Sequence, residues 1–100
     1  MSTSGQSGDA GEAGFSTVTP AVPASTVVQT NNNPYSVDIY ILTAGTATGW
    51  SIVDARGTTT AISASTGPPV GSVIRLGPKE GIKITYSVVP TWVWKGVAPV

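Results

Sequence analysis

The sequence predicts an all-β fold, a small antiparallel β-sandwich or barrel of six to seven short strands with an extended N-terminal arm. Three observations support this prediction. Runs of alternating apolar and polar residues, rich in valine, isoleucine and threonine, recur along the chain. Glycine and proline separate these runs at intervals of about 8–12 residues, which is typical of a β-sandwich. No stretch of the sequence has the period of an amphipathic helix.

Each predicted strand follows from its own pattern. The strands are expected at 35–43, 50–55, 58–63, 70–76, 81–89 and 91–96, with turns at 31–34, 44–49, 56–57 and 76–81. The clearest strand is 81–89, where Ile82, Ile84, Tyr86 and Val88 alternate with polar residues and are expected to face inward. In the turn at 76–81, Pro78 fixes the backbone φ that a turn requires, and Gly81 gives the chain the conformational freedom to leave the turn.

The chain divides into an arm at 1–19 and a β-sandwich domain at 20–100. Apart from Phe15, the Gly/Ser-rich arm has almost no large apolar side chain, so it buries too little surface to offset the entropy lost when it is ordered. We therefore expect neighbouring subunits to hold it. Glycine recurs every third residue at 5, 8, 11 and 14, which indicates either a short collagen-like period or simple flexibility. Segment 17–30 contains Pro20 and Pro23 and is predicted to be an edge strand or a late-docking arm.

The composition excludes several classes of function. The 100 residues contain no cysteine and no histidine, which removes thiolate metal sites and the commonest general base, so we expect no enzyme, metal or cofactor. Five basic and five acidic residues give zero net charge, with no basic stripe to bind nucleic acid. No apolar run is long enough to cross a membrane as a helix, and the default compartment is the cytoplasm of the producing cell. A carboxylate pair of Asp38 and Asp54 for glycoside hydrolysis is the weak alternative, because the two lie on different predicted strands.

The three tryptophans are the most informative side chains. Trp92 and Trp94 are two residues apart, so they share one face of the last strand. Three placements are open for them: packing within the chain, an anchor in a subunit interface, or a stacking platform for sugar rings. The candidate interface residues are Phe15, Val22, Val27, Val28, Trp50, Trp92 and Trp94, and there are no candidate catalytic, cofactor or metal residues.

The C-terminal run GPKEGIKITYSVVPTWVWKG (77–96), and TYSVVPTWVW (85–94) within it, resembles a module of tailed-bacteriophage virion proteins. Upstream of this run, VPAS (22–25) and TATGWSI (46–52) occur in the same order as in that module. The module is similar to head-decoration and minor tail components. The resemblance implies a capsid decoration (cement) protein that is made in the host cytoplasm and braces major capsid subunits at the virion surface, as a homotrimer. A tail, neck or fibre-tip component, with a host-glycan site on a tryptophan face, is the alternative.

Overall fold

A computed structural model describes residues 13–98, and within this range the side chains of residues 14–97. The described part of the chain contains eight strands and no helix. The strands are β1 (Ala13–Ser16), β2 (Val28–Thr30), β3 (Ser36–Thr43), β4 (Thr46–Val53), β5 (Thr59–Ser63), β6 (Val73–Leu76), β7 (Gly81–Val88) and β8 (Thr91–Ala98). The prediction of a small antiparallel all-β sandwich or barrel is confirmed, and the structure is the sandwich. Residues 1–12 of the predicted arm at 1–19, with the first three of the four glycines in its period, lie outside the described residues.

The strands form two antiparallel sheets of four. One sheet, here called the β8 sheet, has the order β1-β8-β3-β6, and the other, the β7 sheet, has the order β2-β7-β4-β5. The pairs β1–β8, β2–β7, β3–β6 and β4–β5 nest inside one another, as if one long hairpin had been rolled up. This nested pairing is the jelly-roll topology of an eight-stranded double-sheet sandwich.

The core lies between the two sheets and follows from alternation along the long strands. Its buried members are Val37, Ile39, Ile41, Ile74, Leu76, Ile82, Ile84, Trp92 and Trp94. Successive side chains on a strand point to opposite faces, so every second residue of β3, β7 and β8 enters this layer. The expected inward orientation of Ile82 and Ile84 is therefore confirmed, and Tyr86 packs against the same cluster.

Two segments differ from their predicted state. Residues 44–49 were predicted to be a turn, but β4 begins at Thr46 and the turn is Ala44-Gly45 alone. The ladder with β7 continues through this segment with two register shifts. Such irregularities interrupt the alternation of apolar and polar residues, so the sequence resembles a turn. Gly45 has a φ of 56°, and a Cβ at this position would collide with the Val88 carbonyl, so the tight turn requires glycine.

The first strand lies inside the predicted arm. β1 pairs with β8 in the register Phe15↔Gly96 and Ser16↔Lys95, so residues 13–19 are held by their own domain. Within 17–30, only Val28–Thr30 forms a strand, and it is an edge strand of the β7 sheet. Residues 13–98 therefore form eight strands where six to seven were predicted.

Val88 was expected to face inward, and this expectation is wrong because its side chain is mostly exposed. Val88 pairs with Thr46 beyond the register shifts of β4, at the end of the strand and past the last core residue of β7. The alternation in 81–89 thus extends one step further along the sequence than the core does.

A buried amide joins two turns at one end of the sandwich. Asn31 is fully buried, and its Nδ2 donates hydrogen bonds to the carbonyls of Tyr35, Leu76 and Gly77 at 3.0–3.2 Å. Its backbone accepts a hydrogen bond from Lys79 N–H, and Lys79, rather than a glycine, takes the left-handed φ of 70° in this turn. Asn31 therefore connects the β2–β3 turn to the β6–β7 turn. Because its side chain is buried away from water, these protein hydrogen bonds satisfy the amide group.

Candidate docking surface

The two C-terminal tryptophans face the core. Trp92 is 6% exposed and Trp94 is 2% exposed, and their rings meet edge to face with centroids 5.6 Å apart. Trp92 Nε1 donates a 2.8 Å hydrogen bond to the Pro20 carbonyl, while Trp94 Nε1 is buried with no partner among the described residues. The structure therefore selects packing within the chain from the three placements, and neither ring is available as an interface anchor or a sugar platform.

The other predicted interface residues do not form one surface. Phe15 lies on β1 against Tyr35, with ring centroids 4.9 Å apart. Val22 and Trp50 are half-buried against the core cluster. Val27 and Val28 are exposed, but Val28 belongs to β2, at the edge of the opposite sheet from Phe15. Sequence reasoning thus identified apolar residues correctly without identifying a shared face.

An apolar row instead crosses the outer face of the β8 sheet. Tyr40 of β3 lies directly opposite Val73 of β6 on one side and Val93 of β8 on the other. Tyr40 is 38% exposed and Val73 is 52% exposed. Leu42, at the irregularity between Ile41 and Thr43, is 53% exposed and extends the row along β3. We call Tyr40, Leu42, Val73 and Val93 the docking face.

A charged row borders the docking face two residues further along each strand. Asp38 lies opposite Arg75 on one side and Lys95 on the other. Arg75 donates two hydrogen bonds to Asp38, from Nε to Oδ1 at 2.8 Å and from Nη2 to Oδ2 at 3.1 Å. An apolar centre with a charged and polar rim is the usual anatomy of a protein–protein interface, in which tyrosine and arginine are enriched.

One signal in the sequence could have indicated this surface. In the strand 36–43, one face holds Val37, Ile39 and Ile41, and the opposite face changes from Ser36 and Asp38 to Tyr40 and Leu42. Where a strand is apolar on both faces, its second apolar face is covered either by another part of the same chain or by a binding partner. Alignment with Val73 and Val93 depends on register, and the sequence alone does not give the register.

The acidic side chains of the described residues are used by the fold. Asp54 Oδ1 accepts 2.9 Å hydrogen bonds from the backbone N–H groups of Arg56 and Thr58, which closes the β4–β5 turn. Glu80 Oε1 accepts the Gly77 N–H, and Asp38 binds Arg75. Asp38 lies on β3 of the β8 sheet, whereas Asp54 lies in the turn that joins two strands of the β7 sheet, so the structure does not bring together the carboxylate pair considered for glycoside hydrolysis.

The clefts are shallow. One, of about 440 Å³, lies between residues 19–22 and 89–92 and is lined by apolar side chains and two threonines. A second, of about 360 Å³, lies on the β7 sheet beside Ser51, Lys83 and Thr85. Among the described residues, no group of three acidic side chains is placed to share a metal ion. Likewise, none of the described residues belongs to a helix long and apolar enough to span a membrane.

The fold and surface together define a small jelly-roll domain with one apolar outer face. No family model, curated protein or solved structure matches this chain.

Proposed function

We propose that this chain is a non-enzymatic structural subunit that docks on a larger assembly through the docking face. In its most specific form, the proposal is a capsid decoration protein of a tailed bacteriophage, which braces neighbouring major capsid subunits and itself assembles as a homotrimer. The observation that carries the proposal is the apolar row Val73–Tyr40–Val93, in which Val73 and Tyr40 are exposed and Val93 is half-buried, beside the charged row Arg75–Asp38–Lys95.

The row has the chemistry of a docking site. Exposed apolar side chains that lie singly on a surface need no partner, but a contiguous set across three strands is typical of a site that another surface covers. Tyr40 supplies a large apolar body with a hydroxyl group at its tip, which suits the centre of such a site. Because Asp38 is paired with Arg75, the charged row of Arg75, Asp38 and Lys95 has one net positive charge, which favours a partner whose apolar surface is bordered by carboxylates.

The mechanism is passive. A protein that binds the assembled shell and not the free subunits stabilises the shell by mass action, without any chemical step. The jelly roll suits this role because its two sheets present broad, rigid outer faces. The fold alone does not define a function, since viral and lectin domains share it, and the docking face therefore carries the proposal.

The alternative is a tail, neck or fibre-tip component, which in one form is a host-glycan-binding module. Only the glycan-binding form depends on Trp92 and Trp94 as a stacking platform, and both rings lie in the core. Trp50 is half-buried, and the groove it lines contains Ser51, Lys83 and Thr85, which are polar groups compatible with a sugar. No contact in this groove favours a sugar over water, so the decoration role is preferred.

The proposal is tested by immunogold labelling of purified bacteriophage particles, taken from cells that produce this chain, with an antibody to the chain. Label over the head, with trimer-sized clusters at saturating antibody, is the expected result. Label confined to the tail or its tip would transfer the protein to the alternative class. Particles that carry none of this chain, measured also by mass spectrometry of the purified particle, would refute the virion role.

A further inference from the structure

The edge strand β1 occupies a socket that its own sequence shapes. A Cβ built on Gly96 would overlap the Phe15 ring and approach the Tyr35 ring, so Phe15 fits over β8 only because residue 96 is glycine. Tyr35 holds the other side of Phe15 by an edge-to-face contact, and its hydroxyl shares a 2.5 Å hydrogen bond with Thr17 Oγ1. The socket is therefore specific for this strand in this register.

β1 lies at the edge of its sheet, outside the core. No side chain described for β1 belongs to the core cluster, and the strand is four residues long and pairs with one neighbour, β8. Detachment of such a strand breaks few buried contacts, and edge segments of this kind open at a small fraction of the global free energy of unfolding.

A hinge separates β1 from the rest of the domain. The segment after it is fixed from residue 19 onward, because Trp94 N–H donates a 3.0 Å hydrogen bond to Thr19 Oγ1 and Trp92 Nε1 donates to the Pro20 carbonyl. Val18 lies between this anchor and the Thr17–Tyr35 bond, and it is 83% exposed. Rotation about residue 18 releases β1 and leaves the anchor in place.

We infer that β1 is exchanged between copies of this chain, so that β1 of one copy fills the Phe15 socket of another. Exchange forms the same ladder and the same Phe15–Tyr35–Gly96 contact between copies that the closed chain forms within itself, which makes it a low-cost route to association. Only three residue steps separate Ser16 from Thr19. Ser16 must therefore lie within about 10 Å of that anchor, and the receiving β8 only about 5 Å beyond it, which requires closely packed copies. The inference is independent of what the docking face binds.

Disulfide trapping tests the exchange, and the cysteine-free sequence makes the readout clean. Ser16 and Lys95 are directly opposite in the β1–β8 ladder, at a separation that a disulfide can bridge. A chain with Ser16→Cys is mixed at high concentration with a chain with Lys95→Cys and oxidised. We expect a disulfide-linked heterodimer, at least tenfold above the yield from a mixture of Ser87→Cys and Lys95→Cys chains, in which Ser87 is an exposed residue of β7 outside the socket.

Two further variants make every outcome decisive. The doubly substituted chain, diluted to favour the monomer, should close an internal disulfide, which establishes that the pair can form. Addition of Gly96→Val to the Lys95→Cys chain should abolish the heterodimer while circular dichroism shows that the sandwich persists. An internal disulfide without any heterodimer above the Ser87 control overturns the exchange, and failure of the internal disulfide overturns the socket itself.

Discussion

Two aromatic surfaces lie back to back on the β8 sheet. The inner surface carries Trp92 and Trp94, which are buried against the opposite sheet, and the outer surface carries Tyr40, which is exposed between two valines. Large aromatic side chains are typical of both cores and interfaces, so residue type does not separate the two surfaces. Strand parity separates them, because residues 92 and 94 face one way and residue 93 the other. The inner surface is expected to determine stability and the outer surface to determine association.

The largest expected effect is on the inner surface. Trp94→Ala removes a buried indole and should lower the free energy of unfolding by about 3–5 kcal/mol, whereas Val93→Ala, one residue away on the outer surface, should lower it by less than about 1 kcal/mol. Urea denaturation of the two variants measures both values. Equal losses would break the comparison, because they would mean that the two faces of β8 are buried alike.

The next effect concerns a residue that belongs to neither surface. Asn31→Ala removes the buried amide that donates to the carbonyls of Tyr35, Leu76 and Gly77, of which Gly77 keeps the Glu80 N–H, and should cost about 2–4 kcal/mol of stability. Association through the docking face should remain unchanged under conditions in which the variant is folded. Thermal unfolding and particle binding, measured on the same preparation, check the two halves of this prediction. A weakened association in the folded variant would show that the outer surface depends on the turn that Asn31 holds.

The outer surface is tested by Tyr40→Ala. Loss of the central side chain should weaken binding to the particle about 30-fold, as expected for an interface centre worth about 2 kcal/mol, with a change in stability of less than about 1 kcal/mol. Thr85→Ala, on the outer face of the β7 sheet, is the matched control and should leave binding unchanged. Co-sedimentation of each variant with particles that lack the native protein gives the affinities. Wild-type binding by Tyr40→Ala would remove the docking face from the proposal.

The smallest effect separates the two tryptophans from each other. Trp94→Phe removes a buried N–H that has no partner in the described structure, and this gain offsets the lost volume, so stability should change by less than about 1 kcal/mol. Trp92→Phe removes the bond to the Pro20 carbonyl and should be the more destabilising of the two by about 1 kcal/mol. The difference between their unfolding midpoints in denaturant is the measurement. The opposite order would indicate that the Trp94 indole has a partner after all.

Particular elements show how far the sequence could go. Segment 81–89 predicted a strand with Ile82 and Ile84 inward, because period-two alternation in a half-buried strand is a local property. β1 was not predicted, since AGFS is short and weakly patterned and becomes a strand only because Gly96 and Tyr35 receive Phe15. The segment Thr46–Gly49 looked like a turn because its irregular ladder with β7 depends on a distant strand. The docking face was missed for the same reason, since its members come from three strands far apart in the chain.

The sequence by itself determined that the chain folds as a small antiparallel all-β sandwich or barrel, that Ile82 and Ile84 of β7 face inward, and that histidine and cysteine chemistry are absent. Only the tertiary structure decided the nested strand order, the burial of Trp92 and Trp94, and the alignment of Tyr40 with Val73 and Val93. The physical reason is range. Alternation is encoded between neighbouring residues, whereas partner choice and register result from packing the whole chain at once, where a shift of one residue turns every side chain of a strand to the other face.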